Sequence, residues 1–525
     1  MDALLDAIVV GGGIGGMTAA NRLAQLGKKV VVLEAGADQE YLCNSRYTGG
    51  AVHICFRDPV KRRADELVAE IGITSLEAVP ELAQAVAEDG RRAIGWLREE
   101  GVKFAKGGAE EYKGWVLAPL RANTYGLMWK GRGGDVMLRT LGEALEKRGG
   151  SILRGARAVK LDTSAADRVT LDVEQGGATK PMAAKAVVFA DGGFQGNPDL
   201  LRQYVTENPE KLLQRGAGTG KGDGLRMALS AGGKYVGGKR FYGHVLSKEA
   251  LTNANLWPFP VIDPIVHVGL VVDGNAQRFA NEGEGGVWVA NQIAQLPDPL
   301  SAVVIFDEAI WTGPAAHGVM APNPNMVKGG GTMKSANSIA ELAGLVGLPA
   351  AALEKTIATW NAAVNGNATE SLTPSRNAKY GKPMPIVKAP FHAIPVCAGI
   401  TYTMGGIAVD GHSRVVDAAG KPIPRLYAAG CTTGGLEGGP IGGYVGGLSK
   451  SRVGGTHCGE RELGERHERS SPRHDGTDGE YRTGFPGLVR PRACARTRGR
   501  ARLLQRAALR VPRRISALPR ACLLY

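Results

Sequence analysis

Apolar residues first run together from Ala7 to Val10, give way to glycines, recur at helical spacing from Met17 to Leu26, and cluster again from Lys29 to Leu33. That order predicts a strand, a tight turn, a helix and a second strand that delivers Glu34 at its carboxyl end. Farther along, "GGDVMLRTLGEALEKRG" repeats apolar positions at helical spacing and predicts a glycine-capped helix over 133–148. "AKAVVFADGGF", 184–194, reads as a further apolar strand that returns to the same sheet, and a helix is expected from about Asp223. The texture changes between Phe241 and Ser371, where "WPFPVIDPIVHVGLVVDG" precedes the helical "SANSIAELAGLVGLPAAALEKTIATWNAAV". The alternation predicts an α/β fold: a Rossmann-like domain in two pieces, 1–240 and 372–450, with an inserted α+β capping domain, 241–371. Such a second lobe closes over the reacting end of a bound ligand and excludes water.

Composition sharpens this picture at the carboxyl end. The 525 residues are 43% hydrophobic and include 76 glycines, which suits a backbone that approaches a ligand closely. The net charge is +14, but residues 451–525 hold 17 Arg, no Lys and seven Asp or Glu, so +10 of it lies there. This Arg-rich tail carries no nucleic-acid recognition motif, and nucleic acid is not expected as a partner. Without an apolar run long enough to span a bilayer or a secretory signal, the expected compartment is the cytoplasm. Seven scattered cysteines form no zinc pattern, and no metal site is expected.

The candidate chemistry begins in the first turn. Gly11, Gly13 and Gly16 supply G-x-G-x-x-G between strand and helix, with Ile14 and Gly15 in the same turn and Glu34 followed by Ala35. Backbone amides and the helix amino terminus there receive a pyrophosphate, and Glu34 accepts from ribose hydroxyls, so a dinucleotide is expected. "NSRYTGGAVHI" places Asn44, Ser45, Thr48, Gly49 and Gly50 in a polar loop with donors for a flat ring system. Asp191 and Gly192 close the strand "AKAVVFADGGF" beside the turn. Arg139 on the predicted 133–148 helix and His267 on the apolar stretch "IVHVGLVV" are candidate catalytic groups, with Arg121 and His244 as weaker ones.

The ordered motifs "DGGF", "GTGKGDGLRMALSAGG", "DGNAQRFANEGEG", "TYTMGG", "RLYAAG" and "GGPIGGYVGGLSK" resemble the flavoprotein-subunit family of fumarate reductases and succinate dehydrogenases. That family includes 3-oxosteroid 1-dehydrogenases, and the likeness leans toward tricarballylate dehydrogenase. The resemblance implies FAD beneath a cap and the formation or reduction of an activated carbon–carbon bond of a small organic acid. It also implies that Ser45, Thr48 and Gly49 surround the flavin, and that Gly430 with Gly442 and Gly443 close against its ring. The family's linkage histidine is not evident, so FAD is expected to be noncovalent. Tyr402 occupies the motif that faces substrate in the relatives and is the first choice to handle a proton. A 3-oxosteroid substrate is the alternative; a different class is a flavin electron-transfer or redox-sensing protein with an external donor or acceptor protein.

Departures restrict the substrate. "TYTMGG" lacks the family's histidine, "GGPIGGY" replaces an arginine-containing turn, and the proton-delivering arginine has no match in "GEGGVWVANQ". Fumarate itself loses its charged clamps. After Lys450 the family continues with an apolar closing helix, whereas this chain turns glycine- and arginine-rich. A change of reading frame near Lys450 accounts for both the lost pattern and the altered charge, and 451–525 is expected to be an atypical tail without that helix.

Overall fold

The computed structural model describes residues 4–122, 125–317 and 321–460. Strand β1 (Leu5–Val10) is followed by helix α1 (Ile14–Gln25) and strand β2 (Val30–Glu34). Helix α1 starts three residues earlier than its apolar spacing indicates, because Gly13 serves as its amino-terminal cap inside the glycine turn. Helix α2 (Gly133–Lys147) leads to strands β3 (Ser151–Arg154), β4 (Ala156–Asp162), β5 (Val169–Gln175) and β6 (Ala178–Phe189). Helix α3 (Asp223–Ser230) follows.

The chain then builds a second sheet from β7 (Leu213–Gln214), β8 (Phe241–Ser247), β9 (Leu270–Val272), β10 (Val303–Asp307), β11 (Lys334–Ala336) and β12 (Phe391–Thr403). It returns to the first sheet through β13 (Arg414–Val416) and β14 (Pro422–Ala428) and ends, among the described residues, in helix α4 (Gly447–Glu460).

Strands β14, β6, β1, β2 and β3 lie parallel in that order, with Ala7 level with both Val30 and Ala186. Consecutive apolar residues of the inner strands, Ala7–Val10 and Ala186–Phe189, are buried on both faces, as expected where helices cover a parallel sheet. The arrangement brings the carboxyl ends at Val10, Glu34 and Phe189 to one rim, where ligands of doubly wound sheets bind.

Three boundaries differ from the sequence reading. The return at 372 falls too early: β12 pairs antiparallel with β8 (Ser247 with Val396, Phe241 with Thr403) and with β10 (Val303 with Pro395), so it belongs to the second sheet. His267 follows a short helix, Asp263–Val266, and precedes β9 instead of lying within a strand. Helix α4 continues ten residues beyond Lys450 and packs on α1 and on the helix Pro80–Glu99. The closing helix is therefore present despite its glycines, because burial against two neighbours outweighs weak propensity. The rest of the expected tail, 461–525, lies outside the described residues. Among the described residues no helix is long and apolar enough to cross a membrane, and no cluster of His, Cys, Asp and Glu could hold a metal ion.

Candidate active site

The glycine turn owes its shape to missing side chains. Gly11 has φ +102°, and a Cβ there would stand 2.5 Å from the Ala190 carbonyl oxygen. At Gly16 a Cβ would stand 2.0 Å from the Gly11 oxygen, so this position lets helix and turn close together. Gly13 differs: the nearest atom a Cβ would meet is Ser45 Oγ at 3.3 Å, which leaves room in front of the helix amino terminus. Ser45 Oγ accepts from the Ile14 amide at 3.0 Å, marking an acceptor position at that terminus. Tyr41 holds the turn from behind by donating to the Gly12 oxygen at 2.7 Å.

A cavity of about 450 Å³ opens from this turn. Gly11, Gly13, Ile14, Gly15, Glu34, Ala35, Asn44, Ser45, Asp191, Gly192 and Gly430 all line it. Glu34 is buried and accepts from the amides of Gly12 at 2.9 Å and Gly36 at 2.8 Å. Burial pushes its carboxyl upward, against the pull of those amides. Asp191 is raised to about 6, chiefly by burial, while it accepts from the Gly224 amide and the Thr432 hydroxyl. The cradle fits FAD: open space ahead of Gly13 at a helix amino terminus where a pyrophosphate sits, an acid at the end of β2, and a cavity that reaches Gly430. Gly220 of the "GTGKGDG" loop also lines it, as do Gln195, Gly218, Thr219, Lys221, Cys431 and Ser451, which no sequence motif marks as contacts.

Other expected contacts stand elsewhere. Gly16, Thr48, Gly49, Gly50, Gly442 and Gly443 are not among the lining residues. Gly50 packs on Leu117, and Gly443 closes a tight turn with Gly438 against Thr74. Asn44 is shared between roles, donating to the Thr401 oxygen and accepting from the Ala217 amide as it ties the loop to β12. Arg139 pairs with Asp135 and its side chain is 46% exposed, so it is a helix-surface charge. His267 is buried in the cap, accepting from the Gly286 amide and tilted against Tyr380.

Tyr402, by contrast, sits in a buried cluster of phenols. Its hydroxyl donates to Glu437 at 3.0 Å, and Glu437 also accepts from the amides of Val445 and Gly446. Burial, followed by the Glu437 charge, drives the Tyr402 phenol well above its ordinary range. Tyr402 is thus a neutral hydrogen-bond donor at neutral pH, committed to Glu437, whose own positive partner is Lys450 at 3.7 Å. The Tyr242 ring lies 5.2 Å from Tyr402 and stacks on Tyr444 at 4.0 Å.

His244, a weaker candidate in the sequence, lies behind Tyr242. His244 Nδ1 is 2.5 Å from Asp263 Oδ2, and its Nε2 is 3.0 Å from the Tyr242 hydroxyl. Burial lowers the His244 pKa, so the imidazole is neutral. Burial alone would raise Asp263, but its hydrogen bond with His244, and the charge of that ring once it is protonated, hold it low. The resulting tautomer donates from Nδ1 to Asp263 and leaves Nε2 to accept from Tyr242. Strand pairing assembles this row, since β8 carries both Tyr242 and His244 and sets Tyr242 opposite Tyr402 on β12.

The comparisons extend this picture. The model of an FAD binding domain matches residues 6–443. The vinyl phenol reductase of Lactiplantibacillus plantarum is 25% identical, covering 82% of this chain and 90% of that protein. The 4-oxocyclohexanecarboxylate 2-dehydrogenase of Sinomonas cyclohexanicum is 28% identical, covering 82% of this chain and 87% of its own. In fold, 3-ketosteroid delta1-dehydrogenase from Sterolibacterium denitrificans superposes with a TM-score of 0.67 at 20% identity, covering 87% of this chain and 98% of that one. An open flavocytochrome c3 fumarate reductase gives 0.61 at 21%, covering 87% and 78%. Matched over most of its length, the chain belongs to the FAD binding domain family and is an FAD-dependent dehydrogenase or reductase of the fumarate reductase and succinate dehydrogenase flavoprotein superfamily, acting on CH–CH groups.

Proposed function

We propose that the protein forms or reduces a carbon–carbon double bond next to a carbonyl of a small organic compound. The observation that carries this reading is the row Asp263, His244, Tyr242, set against the neutral phenols of Tyr402 and Tyr444. Bound noncovalently, FAD supplies the two-electron partner that takes or gives a hydride. When substrate binds, Tyr402 turns its single O–H from Glu437 to the carbonyl oxygen and, with Tyr444, both kept protonated by burial, acidifies the neighbouring C–H bond. Tyr242 takes that proton while passing its own to His244 Nε2, and Asp263 stabilises the imidazolium that forms. In the reducing direction the same row returns the proton to carbon. Gly11, Gly13, Ile14, Gly15, Glu34, Asn44, Ser45, Asp191 and Gly430 hold the cofactor in this reading.

The relatives act, by their names, on vinyl phenols, urocanate and 4-oxocyclohexanecarboxylate, and these set the range of substrates worth testing. Tricarballylate and fumarate fit less well, because "TYTMGG" and "GGPIGGY", which carry Tyr402 and Tyr444, lack the charged groups of the corresponding family motifs. The test is anaerobic loss of the flavin absorption band with 4-oxocyclohexanecarboxylate, tricarballylate, succinate and a 3-oxosteroid, each alone. Reoxidation of the reduced protein by the unsaturated counterparts reads the other direction. Bleaching by an oxo compound, slowed about 10²-fold in Tyr242→Phe, is expected. Reduction only by a protein partner, with every small molecule inert, would favour the electron-transfer class. Acid precipitation that leaves the flavin in the supernatant checks the noncovalent linkage.

A further inference from the structure

Two arginines share one aromatic ring beside the phenol cluster. Arg215, 8% exposed, follows β7 and lies 4.9 Å from the Phe259 ring centroid; Arg121 lies 4.8 Å from the same ring. Arg215 donates from Nε to the Pro258 oxygen at 3.1 Å and from Nη1 to Thr401 Oγ1 at 2.8 Å. Arg121 donates from Nη2 to the Gly126 oxygen at 2.9 Å. Neither forms an ion pair among the described residues, and Arg215 Nη2 has no hydrogen-bond partner there. Asp263, the acid whose charge reaches Arg215, is committed to His244 and to the Val245 amide.

Two guanidinium groups that share the Phe259 ring, neither paired with a carboxylate among the described residues, repel each other and have lost much of their water. Burial, then the Arg215 charge, pulls Arg121 down to about 10. Such a pair is stabilised by an anion that bridges it, and the planar forks suit a carboxylate. Arg215 bonds Thr401, the residue before Tyr402 on β12, and its charge acts on Tyr242 and His244, which joins it to the reacting end of the site.

We propose that Arg215 and Arg121 form a carboxylate subsite, so that the substrate is an oxo or unsaturated acid held by its carboxylate at one end and activated by the phenols at the other. This rests on the reading of Tyr242, Tyr402 and Tyr444 as the reacting end. The subsite replaces the missing family clamps with a pair on different elements, one ahead of the cap and one at its β7 edge.

The experiment titrates the FAD-loaded protein with 4-oxocyclohexanecarboxylate, urocanate and fumarate, each beside its primary amide, and follows the flavin difference spectrum. At least one acid is expected to bind tenfold or more tightly than its amide. A charged hydrogen bond is worth about 1.5–3 kcal/mol, so Arg215→Gln is expected to weaken that acid about 10- to 100-fold and leave the amide unchanged. Arg215→Lys should restore part of the preference. If Arg215→Gln fails to fold, as judged by its melting curve, Arg121→Gln on the more exposed partner must reduce the same acid-to-amide ratio. The proposal is overturned if no acid perturbs the flavin, if amides bind as tightly as acids, or if the ratio survives substitution. Acids that bind selectively without exchanging hydride would sink the proposed function but keep the subsite. Rapid turnover of an uncharged ketone with no preference for acids would do the reverse.

Discussion

A buried phenol beside a carboxylate keeps its proton, and Tyr402 beside Glu437 is such a case. Tyr402→Phe is therefore expected to retain FAD and the fold while slowing flavin reduction about 10²-fold, through loss of a donor to the carbonyl. Rapid-mixing absorbance measures that rate, and an unchanged value would leave Tyr402 a packing residue. His244 supplies the acid limb of the pH profile. Its pKa lies below the ordinary histidine value, so the relay is competent at neutral pH, and the rate should fall only as the pH drops and the imidazole becomes charged. Asp263→Asn should cut the rate and shift that limb farther toward acid, because the imidazolium loses its counter-ion. Asp191 acts on stability. A carboxyl raised from 3.8 to about 6 binds its proton more tightly in the folded state, so its contribution is full below 3.8 and is lost as the pH rises through 6. Asp191→Asn should remove that slope, and melting curves at pH 4.5 and 7.5 would read the difference.

At the scale of elements, the β1–turn–α1–β2 unit was legible because its chemistry is local. A glycine spacing and a terminal acid are written in one stretch of chain, and each glycine answers to one nearby atom. Gly13→Trp should abolish FAD retention with only a modest change in melting temperature, since the space ahead of Gly13 is open. Gly443→Ala should do the opposite, because a Cβ there would stand 1.8 Å from the Thr74 oxygen in a turn that does not line the cavity. Flavin content per folded protein separates the two. The reacting end was much less legible. Asp263, His244 and Tyr242 meet through a short helix and strand, and their opposition to Tyr402 depends on the β8–β12 register with its irregularity at Tyr242 and Gly243. No spacing rule reports such a register. For the same reason, the 13-residue β12 was assigned to the wrong lobe: an apolar strand reads alike in either sheet, and only its partners decide.

For the molecule as a whole, the question is what closes the nucleotide domain behind the cofactor. Helix α4 does so, and its last ten residues are needed: Ser451 lines the cavity, Gly455 lies against α1 where a Cβ would stand 2.5 Å from the Gly15 oxygen, and Glu460 pairs with Arg22 and Arg92. Yet the helix is poorly suited to its place. Arg452 is fully buried with neither Nη atom hydrogen-bonded, and burial pulls its pKa down to about 9. An apolar side chain there removes an unpaired buried charge, so Arg452→Met should raise the melting temperature at neutral pH. Because the depressed pKa belongs to a base, the advantage should shrink as the pH rises above about 9, where the folded wild type sheds that proton. The same mismatch bears on the reading frame. An arginine and three glycines in a buried closing helix, followed by arginine-rich sequence, are what a one- or two-base displacement after Lys450 would leave, and sequencing the coding DNA should reveal an alternative frame with an apolar helix. Truncation gives an independent test on the protein itself. Ending the chain after Lys450 should lose most FAD and lower the melting temperature, because Ser451, Val453 and Cys458 leave the packed interior. Ending it after Glu460 should match the full chain in both measurements, while a chain carrying the restored apolar helix should exceed both. Equal FAD content in the two truncations would mean that the segment beyond Lys450 contributes nothing to closure, and loss of FAD in both would make residues beyond Glu460 part of the binding fold.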